Sequence, residues 1–143
     1  MIAPSPETTA AWTALMRAAR RRFDAVETAL KQAGLPPLAW YDALWEIERA
    51  GAGGLRPYEL TERLLLPQYG TSRLLDRMAR DGLIDRTRST DDGRGQVIRL
   101  TTAGQTMRAR MWPVYAAALC TGLQDRLTQA EAATLAGLLG KLA

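Results

Sequence analysis

The sequence predicts a mainly α-helical protein that carries one small, two-stranded β-hairpin. Over most of the 143 residues, apolar side chains recur at spacings of three and four, the period of an amphipathic helix. One stretch, Ser89 to Gly104, breaks that period, because it alternates apolar and polar residues after a glycine-rich tip. Prolines and glycines separate these patterns into short segments. Several helices around one hairpin are therefore expected.

Length and composition fit one globular domain, which we predict to span 1–143. Apolar residues make up 47% of the chain and charged residues 24%, as in a folded protein. The start of the chain lacks the plan of a signal peptide, and no apolar run approaches the roughly 18 residues of a membrane span. The single Cys120 excludes an intrachain disulfide and is expected to be a buried, inert thiol. We expect a cytoplasmic protein without a membrane partner.

Few residues of the sequence could support catalysis or bind a metal. The chain contains no histidine, which removes the commonest general base and the commonest metal ligand. It also lacks a phosphate-binding loop of the G-x-x-x-x-G-K-[ST] type, a serine nucleophile elbow and a C-x-x-C pair. No enzymatic activity, metal site or cofactor is expected.

Three helices are predicted before the middle of the chain. The first covers about 9–32 and ends at Gly34, and the second covers about 37–50. Pro57 can open a short third helix as its first residue. One side of the second helix is expected to carry Leu38, Tyr41, Leu44 and Trp45.

The fourth predicted helix is the most informative one. We expect Pro67 to open it and Gly82 to end it. Its buried side would consist of Leu74, Leu75 and Met78. The opposite side carries residues spaced four, four and three apart, namely Tyr69, Arg73, Arg77 and Arg80. This row is expected to project outward.

A hairpin and two further helices complete the chain. Strands are predicted at 83–88 and 96–101, followed by a long helix over about 103–125 that Pro113 should bend. The capping box Thr128-x-x-Glu131 opens the last helix, which carries a leucine stripe. This order of elements is that of a winged helix-turn-helix with additional helices at both ends.

The fourth helix and the neighbouring hairpin suggest a nucleic-acid partner. A short helix that is basic outside, after a tight turn, matches the geometry of a recognition helix in the major groove. Arg94 at the hairpin tip could reach an adjacent minor groove, and Asp92 could orient its guanidinium group. However, the stretch 55–99 holds nine arginines against seven acids, so the arginines could also simply face water. These residues alone leave both interpretations open.

The stretch from Gly53 to Gly104 resembles the core of the MarR family of bacterial transcription regulators. The resemblance rests on the run SRLLDRM…GLI at 72–84, on the Asp-x-Arg pair of Asp92 and Arg94, and on the closing RLTTAG. It implies a homodimer that binds a palindromic operator in double-stranded DNA and commonly represses nearby genes.

The resemblance also assigns roles to segments of the chain. The helices at about 9–32 and 103–142 would interlock in the dimer, and the segment at about 37–101 would form the winged helix-turn-helix lobe. The chain departs from the family pattern at Pro67, where a serine or aspartate cap is usual. It departs again at the glycines beside Arg94, where a second basic residue is common.

By resemblance, two groups of residues are candidates for binding sites. Base edges would be contacted by Gln68, Tyr69, Thr71, Ser72, Arg73 and Arg77. In the wing, Arg94 would enter the minor groove with Asp92 beside it. A small aromatic ligand that releases the DNA would bind near Trp12, Trp40, Tyr41 and Trp45. Core or dimer packing is the simpler explanation of those four, and a winged-helix module that binds another protein is the alternative to the whole assignment.

Overall fold

The computed structural model describes residues 1–65, 70–89 and 95–143, and in these ranges it is mainly helical with one antiparallel sheet of two strands. The helices are α1 (Pro6–Gln32), α2 (Leu38–Ala50), α3 (Pro57–Arg63), α4 (Thr71–Arg80), α5 (Thr102–Leu119) and α6 (Gln129–Gly140). The strands are β1 (Ile84–Arg88) and β2 (Gln96–Leu100). The predicted fold class is confirmed.

The chain divides into two compact units. The terminal unit consists of Met1–Ala33 and Val114–Ala143, and the central unit is Gly34–Pro113. None of the helices in the described ranges combines the length and apolar character that crossing a bilayer would require.

The central unit has a closed hydrophobic core. Its fully enclosed side chains come from every helix of the unit and from the hairpin: Leu44, Ile47, Leu60, Met78, Ile98 and Met111. The short apolar faces of α3 and α4 supply Leu60, Leu75 and Met78 to this core, as their spacing predicts. The core therefore fixes which face of α4 is left for solvent.

The hairpin is attached to the segment that follows α2. β1 and β2 pair from Ile84 with Leu100 to Arg88 with Gln96, so both predicted strands are confirmed to within one residue. Leu55 adds two backbone hydrogen bonds to Ile98, of 2.9 and 2.7 Å. Any side chain at the preceding glycine would lie about 2.6 Å from the Ile98 carbonyl oxygen, so the close approach depends on glycine there.

The start of α4 differs from the prediction. The helix begins at Thr71 and not at Pro67, because Gly70 has a left-handed backbone with φ +95° that no α-helix contains. Pro67, together with Gln68 and Tyr69, lies outside the described residues. At the other end, Gly82 has φ +73° and ends the helix as predicted.

The terminal unit buries little of its apolar surface. Within it, the only large apolar side chains that are buried are Val26 and Leu30, both on α1. The capping box of α6 is confirmed, since the Glu131 amide donates to the Thr128 hydroxyl at 3.1 Å and the Thr128 amide to the Glu131 carboxylate at 3.0 Å. The leucine stripe of the same helix is exposed.

The long fifth helix also differs from the prediction of one regular helix to about residue 125. After Leu119 the chain forms a π-helical turn, Cys120–Gln124. The Arg22 side chain lies over Gly122, where an added Cβ would be 2.7 Å from Arg22 Nη1. Cys120 is half-buried, not buried as expected.

Candidate nucleic-acid interface

One side of α4 is exposed and basic. Arg73, Arg77 and Arg80 are exposed, as predicted, and so is Ser72. Leu75 and Met78 are buried on the opposite side. The three arginines of the predicted outward-facing row are therefore exposed. Tyr69, the fourth member of that row, lies outside the described residues.

Hydroxyl contacts and backbone hydrogen bonds hold both ends of α4. At its start, the Thr71 and Thr61 hydroxyl oxygens are 3.2 Å apart, and Thr61 also donates to the Pro57 carbonyl. At its end, the Leu83 amide donates to the Met78 carbonyl at 2.9 Å, past the left-handed Gly82. The exposed face of α4 is therefore presented by a helix that is fixed to α3 and to the hairpin.

The arginines of the central unit fall into two groups. Arg86 Nη1 donates to Asp76 Oδ1 at 2.6 Å, which ties β1 to α4. Arg99 Nε donates to the Ala52 carbonyl at 2.8 Å and its Nη1 to the Thr87 hydroxyl at 2.9 Å, which ties β2 to the end of α2. In the described ranges no acidic side chain pairs with the exposed arginines of α4. Arg86 and Arg99 thus have partners inside the protein, whereas the α4 arginines pair with no acidic side chain among the described residues.

The base of the wing is fixed by two contacts. The Ser89 amide donates to the Gly95 carbonyl at 2.7 Å and closes the hairpin below its tip. The Arg56 guanidinium, at the start of α3, donates to the Ser89 hydroxyl at 3.3 Å. Asp92 and Arg94 lie outside the described residues, and their roles stay predictions.

The four aromatic residues predicted near a ligand do not share one environment. Tyr41 is buried and stacks on Trp112 at 5.9 Å between ring centroids, and Trp40 is half-buried. Trp45 is 39% exposed. The Arg108 guanidinium lies over its ring, 5.1 Å from the ring centroid. Trp12 belongs to the terminal unit and is 62% exposed.

Sequence analysis did not identify Arg108 or Asp42. Arg108 contacts the Glu48 carboxylate as well as Trp45, an arrangement that only the pairing of α2 with α5 reveals. Asp42 is 6% exposed and accepts a hydrogen bond from the Leu65 amide at 2.6 Å. The signal in the sequence that could have identified Asp42 is its position on α2 between residues that are buried.

Burial raises the pKa of the Asp42 carboxyl above its usual range. The Leu65 hydrogen bond acts in the opposite direction, and the nearby negative charge of Glu46 adds to the rise. In the described part of the chain, no group of three or more carboxylate or thiol side chains is placed to hold a metal ion.

Comparison with known proteins gives both sequence and structural relatives. A family model described as MarR family matches residues 33–95. The Escherichia coli (strain K12) multiple antibiotic resistance protein MarR is 32% identical over 91 residues, which cover 64% of this chain and 63% of that protein. The matched region thus spans less than two thirds of the length of this relative.

Two solved structures share the fold over nearly the whole chain. A MarR family transcriptional regulator from Streptomyces coelicolor, in complex with DNA, has a TM-score of 0.86 at 23% identity and covers 99% of this chain and 89% of the other. A mutant MarR from E. coli, complexed with operator DNA, has a TM-score of 0.81 at 25% identity over 95% of each chain.

Proposed function

We propose that this chain is a MarR-type winged helix-turn-helix protein and a sequence-specific DNA-binding transcription regulator. The observation that carries this proposal is the division of the arginines. Arg86 and Arg99 are bound within the central unit, whereas Arg73 and Arg77 are exposed on one helix face with no acidic partner among the described residues. Exposed guanidinium groups on a helix pair with phosphates and with the major-groove edge of guanine.

We propose roles for α4 and the wing that follow from this geometry. The base-contacting set would comprise Gln68, Tyr69, Thr71, Ser72, Arg73 and Arg77. Of its described members, Ser72, Arg73 and Arg77 are exposed and Thr71 is half-buried at the start of the helix. The wing would add Arg94 in the minor groove, oriented by Asp92. Binding to a chromosomal operator would make the protein cytoplasmic.

The terminal unit supports the proposal of a homodimer. Large apolar side chains of α1, of α6 and of the residues after α6 remain exposed in the single chain: Trp12, Met16, Phe23, Leu135, Leu138, Leu139 and Leu142. An apolar surface of this extent needs a partner, and a second copy of the chain offers a matching one. A two-fold dimer would present two α4 helices to successive major grooves of a palindromic operator, about one helical turn apart.

We further propose that the protein is a repressor which a small aromatic ligand releases from DNA. The support is the exposed indole of Trp45 next to the Arg108 guanidinium, since the pair offers a stacking surface and a cation on α2 and α5. Tyr41 is buried and Trp40 half-buried, so these two would support such a surface from behind. Trp12, in the terminal unit, would contribute only in the assembled dimer.

The proposal is tested by selecting a duplex from a random-sequence DNA library with the wild-type protein. Binding of that duplex and of a scrambled one is then followed by fluorescence anisotropy over a series of salt concentrations. We expect affinity for both duplexes to fall steeply with salt, with the selected duplex bound more tightly at each concentration.

Arg77→Ala should weaken binding of the selected duplex by about 1–3 kcal/mol and the scrambled duplex by less, because a base contact is lost. Arg110→Ala removes the same charge from an exposed position on α5 and serves as the control. Equal losses on both duplexes would make Arg77 a phosphate contact only. If no duplex binds in a salt-dependent way, the winged-helix module that binds a protein is favoured instead.

A further inference from the structure

Asp42 connects α2 to the turn between α3 and α4. Its carboxylate accepts a 2.6 Å hydrogen bond from the Leu65 amide, 23 positions further along the chain. Leu65 directly follows Leu64, the residue at which α3 ends. The contact therefore joins the middle of a core helix to the backbone at the point where the chain leaves α3 for α4.

Side-chain packing does not hold the backbone at Leu65. The Leu65 side chain is 73% exposed, so it contributes little burial that could fix this part of the turn. Asp42 itself is 6% exposed and lies in the same helix as the fully buried Leu44 and Ile47. The hydrogen bond thus fastens the backbone at Leu65 to a helix of the core.

We propose that Asp42 is a positioning residue for DNA recognition, which holds the end of α3 against α2 through the Leu65 amide. The inference rests on the proposed function, because it assigns Asp42 to the same DNA-binding surface. Thr61 and Thr71 supply the second attachment between α3 and α4, at 3.2 Å between their hydroxyl oxygens. Asp42 thus ties the end of α3 to α2, and the threonine pair ties α3 to α4, so the exposed face of α4 keeps one orientation toward DNA.

The acceptor oxygen, more than the negative charge, carries this role. A buried polar group is tolerated where it is hydrogen-bonded, and an asparagine side chain keeps an oxygen at the same position. Leucine has the same branched shape as aspartate, with two methyl groups in place of the two oxygens, but it accepts no hydrogen bond and would leave the Leu65 amide unpaired. Asn and Leu at this position therefore separate the hydrogen bond from packing.

The experiment compares Asp42→Leu, Asp42→Asn and the control Glu46→Leu. Glu46 is the other buried carboxylate of α2, but it pairs with Arg49 on its own helix at 3.3 Å. The probes are a duplex selected by the wild-type protein from a random library and a scrambled duplex of the same composition. Thermal unfolding is recorded for each variant, and amide hydrogen exchange is measured at Leu65 and Leu64.

We expect Asp42→Leu to bind the selected duplex about tenfold more weakly, the effect of one lost hydrogen bond to a charged group, with the scrambled duplex unchanged. Asp42→Asn and Glu46→Leu should keep the ratio of the two affinities found for the wild type. The Leu65 amide should be as protected as the helical Leu64 amide in the wild type and in Asp42→Asn, and should exchange freely in Asp42→Leu.

Any of three results would overturn the inference. Asp42→Leu could bind the selected duplex as the wild type does, it could lose equal affinity for both duplexes, or Asp42→Asn could fail to restore binding. If Asp42→Leu does not fold, rapid exchange of the Leu65 amide in the wild type or in Asp42→Asn overturns it. If the wild-type protein binds no selected duplex, the proposed function fails and the positioning role fails with it. If the wild type binds and Asp42→Leu binds equally well, only the inference about Asp42 fails.

Discussion

The central and terminal units differ in how much of their apolar surface they bury within one chain. The central unit encloses side chains from α2, α3, α4, the hairpin and the start of α5 in a core of its own. The terminal unit contains long helices yet leaves its tryptophan, phenylalanine and C-terminal leucines largely exposed. The difference shows that the central unit buries its apolar side chains within one chain, and it supports the proposal that the terminal helices pack against a partner.

A pair of leucine substitutions should give the largest effect in a test of this comparison. Leu44 is fully buried in the central unit, and Leu138 is 54% exposed on α6. Leu44→Ala should lower the free energy of unfolding by about 2–5 kcal/mol at any protein concentration, because it leaves a cavity. Leu138→Ala should have an effect that shrinks as the protein concentration rises, because it weakens association.

Urea unfolding at two protein concentrations, followed by tryptophan fluorescence, measures both variants. The same concentration dependence for Leu44→Ala and Leu138→Ala would show that the two units are not stabilised differently.

A smaller effect is expected where α5 leaves the hairpin. A Cβ at Gly104 would lie 2.6 Å from Leu100 Cδ1 and would also collide with the Leu83 carbonyl oxygen, so two elements must move apart. Gly104→Ala should therefore destabilise the protein by about 1–3 kcal/mol. Gly53 has open space around its Cβ position and no positive φ, so Gly53→Ala is the matched control. Thermal unfolding measures both, and an equal melting temperature for the two variants would contradict this packing.

The smallest effect concerns the dependence of stability on pH. Because burial raises the pKa of Asp42 in the folded protein, the folded state binds more protons than the unfolded one between the usual and the raised pKa. The contribution of Asp42 to stability therefore falls as the pH rises through that interval. Asp42→Asn, which does not titrate, should be more stable than the wild type at neutral pH and nearly equal to it in acid. A constant difference in melting temperature at both pH values would contradict the raised pKa.

Local signals in the sequence were sufficient for most element boundaries. Pro57 opens α3, Gly82 ends α4 and the Thr128 capping box opens α6, because each depends only on neighbouring residues. The start of α4 was misplaced because a glycine in sequence does not reveal its left-handed conformation at Gly70. The π-helical turn was missed because it is accompanied by a tertiary contact, Arg22 on Gly122.

The candidate site was only partly predictable for a similar reason. Helical spacing placed Arg73 and Arg77 on one exposed face. Spacing gave no means of telling them from Arg86, whose partner Asp76 lies in another element. Asp42 escaped notice because an acidic residue within a helix is usually solvated, and only the path of the chain brings the Leu65 amide to it.

The most direct test of the account is the mass of the protein in solution, with and without DNA. Sedimentation equilibrium should give about twice the 15.7 kDa of one chain for the free protein. Adding one duplex selected from a random library should give a complex of two chains and one duplex. A free protein of 15.7 kDa that forms no complex with any selected duplex would contradict both the partner surface of the terminal unit and the DNA-binding role of α4.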